Sequence, residues 1–189
     1  MTRASSRDKS SPESSKLSAA EELFDVVDEH DRVIDVLSRS EVHRRGLRHR
    51  AVHIFLFRSS GEMLIHLRHV DKEEFPSVWT SSASGHVSAG EFYKVSAERE
   101  LFEELGVHTR LKKVGRIAAC PDTSNEFTEL FVADCDGALQ VDETEISAVR
   151  WLPTSAIRTE LAERPKQFSP AFRLLFAEYM ASHHDMSDR

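Results

Sequence analysis

The sequence predicts an α/β protein in which a mixed central sheet is covered by helices on both faces. Three observations carry that expectation. Short β-branched and aromatic runs, such as residues 50–58 (RAVHIFLFR), recur at strand length. Amphipathic helical stretches stand among and after these runs rather than in a block of their own. An apolar fraction of 40% beside 30% charged residues, in 189 residues, is that of an ordinary globular domain with enough chain for one core.

The elements follow in order. Residues 1–20 (MTRASSRDKSSPESSKLSAA) hold almost nothing apolar and read as a disordered tail, which leaves 21–182 as the folded domain. LFDVVD (23–28) alternates like a strand, His30 and Asp31 turn the chain, and 33–37 form a second short strand. Ser38 with Glu41 three residues on is a capping-box pattern, opening a short helix through 42–45 that Gly46 stops. Residues 50–58 read as a central strand and 62–67 as its hairpin partner across Ser59-Ser60-Gly61. Residues 71–89 show no period, and an irregular stretch of that length inside a domain is usually functional. A helix over 92–105 ends at Gly106. Strands follow at 111–119, 127–134 and 146–151, then a short helix from Pro153-Thr154 to about 162. Ser169-Pro170 caps a last amphipathic helix (AFRLLFAEYM).

Composition excludes several functions. The formal net charge of −7 is a poor match to sequence-blind binding of a nucleic-acid polymer, which needs basic surface. No run of about 20 apolar residues exists to cross a bilayer, and the polar N-terminus has no signal-peptide core. Cys120 and Cys135 make neither a disulfide framework nor a zinc motif, and read as reduced, buried small hydrophobes. Together these features predict a cytoplasmic protein without membrane contact.

The informative stretch is GHVSAGEFYKVSAERELFEELGV, 85–107. Glu100, Glu103 and Glu104 are spaced i, i+3, i+4 and so share one arc of the helix. Val95, Leu101, Phe102 and Leu105 fall opposite, where they would pack on the sheet; Tyr93, Ser96 and Ala97 share the acidic side. Carboxylates at this spacing repel by roughly 0.2–0.5 kcal/mol per pair, so a cation should compensate. Hard divalent ions such as Mg²⁺ or Mn²⁺ take oxygen ligands of this kind. A solvated acidic face is the commoner meaning of a bare E-x-x-E-E. Here, however, the string is G-x5-E-x7-R-E-U-x-E-E-x-G-U, with U aliphatic, through Gly85, Glu91, Arg99, Glu100, Leu101, Glu103, Glu104, Gly106 and Val107. Average residue frequencies produce it by chance in about one chain in a million.

That string resembles the signature of the Nudix hydrolases. The resemblance implies an α/β/α sandwich that cleaves a diphosphate linked to another group X. It further implies that Glu100, Glu103 and Glu104 hold the metal, that Arg99 orients them, and that Glu91 pairs with Arg99. The metal would neutralise the diphosphate and acidify a water, and a carboxylate would take that water's proton. Glu103, Glu104 or a group outside the motif could be that base, with Glu126, Glu143 and Glu145 the candidates outside. The implied partner is a small-molecule diphosphate; Nudix domains also often pair, which allows a homodimer.

The likeness extends over roughly residues 22–161, toward the branch that includes type I isopentenyl-diphosphate isomerases. HRAVHIFLF, LRHVDKEEFPSVWT, SGHVSAGE and AVRWLP carry it. On that resemblance Arg68 and Lys72 fit positions that hold the diphosphate, where a guanidinium binds bidentately and an ammonium acts as a point charge. His49 and His86 match the isomerase's metal-site histidines, with His43 a third at shifted spacing, and all would line the site. The chain departs from the isomerase pattern in two places. Ser84 stands where the isomerase has its acid/base cysteine, and Ser124-Asn125-Glu126 keeps Glu126 but loses the first acid of E-N-E. A hydroxyl is a far weaker acid than a thiol of pKa about 8.5. Meanwhile the R-E-x-x-E-E string that isomerases degrade is intact. Hydrolysis is therefore the expectation, isomerisation the rival, and a non-catalytic nucleotide-binding module the third reading. His53, His66 and His69 read as ordinary core or surface side chains, and Phe75 and Trp79 as packing for the loop. Arg39, Arg44, Arg45, Arg48 and Arg50 form a basic island that either steers an anion or is simply solvated.

Overall fold

The computed structural model of this protein describes residues 21–184. The expected tail, 1–20, and residues 185–189 lie outside the described residues. The chain runs β1 (Leu23–Val27), β2 (Val33–Ser38), α1 (Arg39–Arg45), β3 (His49–Phe57), β4 (Glu62–Arg68), β5 (Trp79–Thr80) and β6 (Ala83–His86). It continues α2 (Tyr93–Leu105), β7 (Lys112–Ile117), β8 (Glu126–Asp134), β9 (Ile146–Pro153), α3 (Thr154–Glu163) and α4 (Pro170–His184).

The main sheet has the order β5-β4-β3-β8-β7, with β6 on β3 and β9 on β4. It is mixed: β3 and β8 pair in parallel, and the other pairs are antiparallel. Strand alternation builds both cores. Val52, Ile54 and Leu56 of β3 pack with Leu64 under Ala97, Leu101 and Leu105 of α2. Phe55, Met63, Ile65 and Leu130 face the other way, onto Ile157 of α3 and Phe172, Leu175 and Phe176 of α4. Phe172 is fully buried and meets Phe55 edge-on at 5.7 Å, so its truncation to Ala should cost about 3–5 kcal/mol. Helices thus cover both faces of a mixed sheet, as expected from the pattern.

The helix ends follow local chemistry. Ser38 Oγ accepts the Glu41 N–H at 3.4 Å to open α1, although the Glu41 carboxylate turns to Arg44 instead of closing the capping box. Gly46 and Gly106, at φ 60° and 67°, end α1 and α2 in the left-handed region that glycine adopts without strain.

Three expectations need correction. First, the 71–89 segment is not wholly irregular, because it holds β5 and β6. Second, the buried stripe of α2 takes in part of the acidic side: Leu101 and Leu105 pack on the sheet as expected, but Glu104 is buried with them while Val95 and Phe102 are not. Ser96, Ala97, Leu101, Glu104 and Leu105 are buried, while Val95 and Phe102 stay 49% and 48% exposed. Small Ser96 and Ala97 let the helix approach the sheet on that side, and a polar cavity receives the carboxylates. Third, Cys120 and Cys135 are free thiols but only half-buried. Among the described residues, no helix is long and apolar enough to cross a membrane.

Candidate active site

Strand β3 meets β4 only at Phe57↔Met63; along its first half it pairs with β6, Ala51↔His86 through Ile54↔Ala83. Beside that first half lies a cavity of about 770 Å³, lined from β3, β6, α2 and the chain after β4. Glu100, Glu103 and Glu104 all line it.

Arg99 binds three carboxylates at once. Its guanidinium donates to Glu100 Oε1 at 2.7 Å, Glu103 Oε2 at 3.2 Å and Glu91 Oε2 at 3.1 Å, and to the His86 carbonyl at 3.1 Å. Glu91 also accepts Ser96 Oγ at 2.6 Å. Gly85 has a steric role, since a Cβ there would lie 2.1 Å from Glu100 Cδ. The Glu100 carboxylate therefore sits against the β6 backbone. Burial pushes Glu100 up to about 7 against the pull of Arg99, and burial together with Glu100 pushes Glu104 up to about 8. Glu104 accepts the Ser84 N–H at 3.3 Å and lies 3.9 Å from His66. Glu103 differs: its side chain is 56% exposed. Buried oxygens that resist losing their protons are a donor set suited to a divalent cation, whose charge removes the penalty of ionising them.

The cationic wall holds Arg39, Arg68 and Lys72. Arg68 donates through Nε and one terminal nitrogen to the Glu74 carbonyl and through Nε to that of Phe75, pinning the loop after β4. Lys72 pairs with Glu145, so this candidate base outside the motif is already engaged; Glu143 is exposed and does not line the cavity. Burial lowers the proton affinity of both Arg68 and Lys72. Of the rest of the basic island, Arg50 is no free cation: it binds Asp31 at 2.6 Å and Asp25 at 3.2 Å.

At the other end, His43 of α1, His49 of β3 and His86 of β6 converge, with ligand atoms within 4.8 Å of one another. Their three Nε2 atoms are buried without hydrogen-bond partners. Glu126 Oε1 faces them, 3.0 Å from His86 Nε2 and 3.5 Å from His49 Nε2. Behind the rings, His49 Nδ1 meets the Leu47 carbonyl at 3.0 Å and His43 Nδ1 meets Glu74 at 3.2 Å, the outer bonds that orient a ligating imidazole. Phe24 of β1 stacks on His49 and His86. Burial alone would raise Glu126, but the His49 and His86 rings beside it hold it well below the ordinary carboxylate range. Unpartnered buried nitrogens with one carboxylate are the donor set of a transition-metal site.

His53 and Ser84 are direct cross-strand partners and both line the cavity. Ser81 Oγ is buried and hydrogen-bonds His53 Nδ1, at 2.6 Å. A buried hydroxyl left without an acceptor costs about 1–3 kcal/mol, so its proton belongs on Nδ1, and Nε2 then carries the ring's N–H. Burial drives His53 down to about 4 and His66 to about 3, keeping both rings neutral. His66 is a satisfied core side chain on the Ser82 carbonyl, whereas His53 is a cavity residue that the sequence reading set aside. His69 is only partly buried, beside Asp71. Trp79 packs under Arg150, and Phe75 remains 38% exposed at the cavity edge. Glu22, held by Ser88 Oγ at 2.7 Å, brings a further carboxylate toward Glu100; nothing in its local sequence marks it.

The family model described as the NUDIX domain matches residues 47–172. A Pseudomonas aeruginosa protein named an uncharacterized Nudix hydrolase is 39% identical over 142 residues, 75% of this chain and 81% of that protein. The isopentenyl-diphosphate Delta-isomerase of Serratia proteamaculans is 31% identical over 167 residues, 86% of this chain and 93% of that enzyme. A crystal structure from Deinococcus radiodurans superposes with a TM-score of 0.68 at 27% identity, over 76% of this chain and 90% of the other.

Proposed function

The chain belongs to the Nudix family of diphosphate-bond hydrolases, and from that premise we propose that it cleaves a nucleoside diphosphate-X or another organic diphosphate with Mg²⁺ or Mn²⁺. The observation that carries the proposal is the intact carboxylate helix, clamped by Arg99 and facing Arg68 and Lys72 across one cavity. Glu100, Glu103 and Glu104 would hold the cation. When bound there, the cation supplies charge for the diphosphate oxygens and acidifies a water. Arg68 and Lys72 bind the phosphoryl oxygens from the opposite side, and their charge stabilises what develops there. Arg99 keeps the carboxylates in register with the substrate. Glu104 is the proposed proton acceptor, because it is buried in the cavity, while Glu103 is exposed and tied to Arg99.

A second reading, isomerisation of isopentenyl diphosphate, is supported by the His43–His49–His86–Glu126 cluster and by the isomerase relatives. Against it stands Ser84, whose hydroxyl cannot readily exchange the proton that a thiol would. In the hydrolase reading His43, His49, His86 and Glu126 would hold a second ion. The chemical step of hydrolysis needs nothing from the Ser84 hydroxyl. With saturating substrate, the Ser84→Ala variant should therefore release phosphate or nucleoside monophosphate within about tenfold of wild type, ~1.4 kcal/mol in barrier. Robust isomerisation by wild type, with no phosphate or nucleotide released from any diphosphate tested, would overturn the proposal.

A further inference from the structure

The cavity carries three charged regions and one neutral one. Carboxylates of α2 form the first, Arg39, Arg68 and Lys72 the second, and the imidazole cluster with Glu126 the third. The same cavity is lined by His53 and Ser84, side by side on β3 and β6, by Thr80 and Ser169, joined to each other at 2.9 Å, and by Ala51, Phe75 and Ala171. His53, Ser84, Thr80 and Ser169 are polar, and in the tautomer assigned above His53, a residue of the cavity lining, carries its ring N–H on Nε2. Cations and phosphoryl groups are served by the charged regions. A hydrocarbon chain laid on His53 and Ser84 would strip the imidazole N–H and the hydroxyl of water without replacing the lost hydrogen bonds.

The geometry points to His53 and Ser84 as specificity-determining residues that bind the X group of the substrate, with X a polar, uncharged moiety bearing hydroxyl or carbonyl oxygens and not an isoprenoid. This deepens the hydrolase proposal and rests on it only for the diphosphate. His53 donates from Nε2–H to an oxygen of X. Ser84 Oγ, opposite it, donates or accepts. Such a site discriminates sharply, because a ligand lacking the matching oxygen leaves buried polar atoms unpaired.

The test is calorimetric binding with Mg²⁺ present, using probes that cannot be cleaved: methylenediphosphonate alone, the α,β-methylene analogues of ADP and of UDP-glucose, and the isopentenyl ester of methylenediphosphonate. Wild type should bind at least one polar probe tenfold or more tightly than the isopentenyl probe. His53→Leu should erase that preference by weakening the polar probe at least tenfold, while methylenediphosphonate changes less than twofold. His53→Gln, which keeps a donor, should stay within threefold. Should His53→Leu fail to fold, Ser84→Val carries the same comparison and should move the preference toward the isopentenyl probe. Wild-type preference for the isopentenyl probe would overturn the inference. So would an equal loss for every probe, which would make His53 a purely structural residue. Failure of the hydrolase reading looks different: wild type would release no phosphate from any diphosphate, yet these binding ratios would stand.

Discussion

Replacing Gly85 by Ala separates the position of one carboxylate from the stability of the fold. Gly85 lies in β6 at a negative φ, so an alanine meets no backbone strain. Its Cβ, however, would sit 2.1 Å from Glu100 Cδ and 2.3 and 2.4 Å from the two carboxylate oxygens, where ordinary contact begins at 3.4 Å. The carboxylate must therefore retreat by about 1.3 Å, and the side chain is flexible enough to do so. That retreat breaks or bends the 2.7 Å bond from Arg99. A displacement of about 1 Å in a reacting constellation costs on the order of 100-fold in rate, or ~2.7 kcal/mol of barrier. The expected outcome is a melting temperature within about 3 °C of wild type, since a strand Gly→Ala change of this kind alters stability by only ~1 kcal/mol. Phosphate release from a diphosphate substrate should fall by about two orders of magnitude. In a Glu100→Gln background the same change should add little, because the coupled carboxylate is already gone. Gly85→Ala activity within threefold of wild type would refute the reasoning, showing that the Glu100 position does not limit turnover.

Glu104→Gln should reduce turnover by at least 100-fold while leaving the fold intact, since an amide holds a divalent cation far more weakly than a carboxylate; wild-type-like rates at saturating Mg²⁺ would sink the assignment. Stability without metal should fall as pH rises. Glu100 and Glu104 titrate near 7 and 8 in the folded protein against 4.5 in the unfolded chain, so the folded state keeps protons that the unfolded state releases. The stability from that difference is complete below about pH 4.5 and is lost through pH 7 and 8. Thermal melts in EDTA should thus drop between about pH 4.5 and 8, and Mg²⁺ should flatten the drop; a rising profile in EDTA across that range would contradict the raised values. His86→Ala should lose one equivalent of Mn²⁺ or Zn²⁺ in elemental analysis of the reconstituted protein, while Glu104→Gln retains it. Unchanged metal content in His86→Ala would mean that the imidazole cluster holds no ion.

The carboxylate helix was legible in the sequence because its information is local. Glu100, Glu103 and Glu104 share an arc by helical geometry, Arg99 adjoins them, and Gly106 stops the helix through its own backbone freedom. The long apolar strands were legible for the same reason, and with them the mixed sheet between helices. Periodicity reports which residues share a face, but not which face turns inward. The assumption that Val95 and Phe102 mark the buried side of α2 failed because Glu104 is buried among polar groups of the cavity. Residues 83–86 hide a strand because Ala-Ser-Gly-His has no β propensity of its own; pairing with β3 makes it one. The same pairing sets His53 against Ser84, 31 positions apart, and brings His86 to His49 and Glu126. Registers of this kind depend on contacts between distant segments, so only the tertiary structure could decide them.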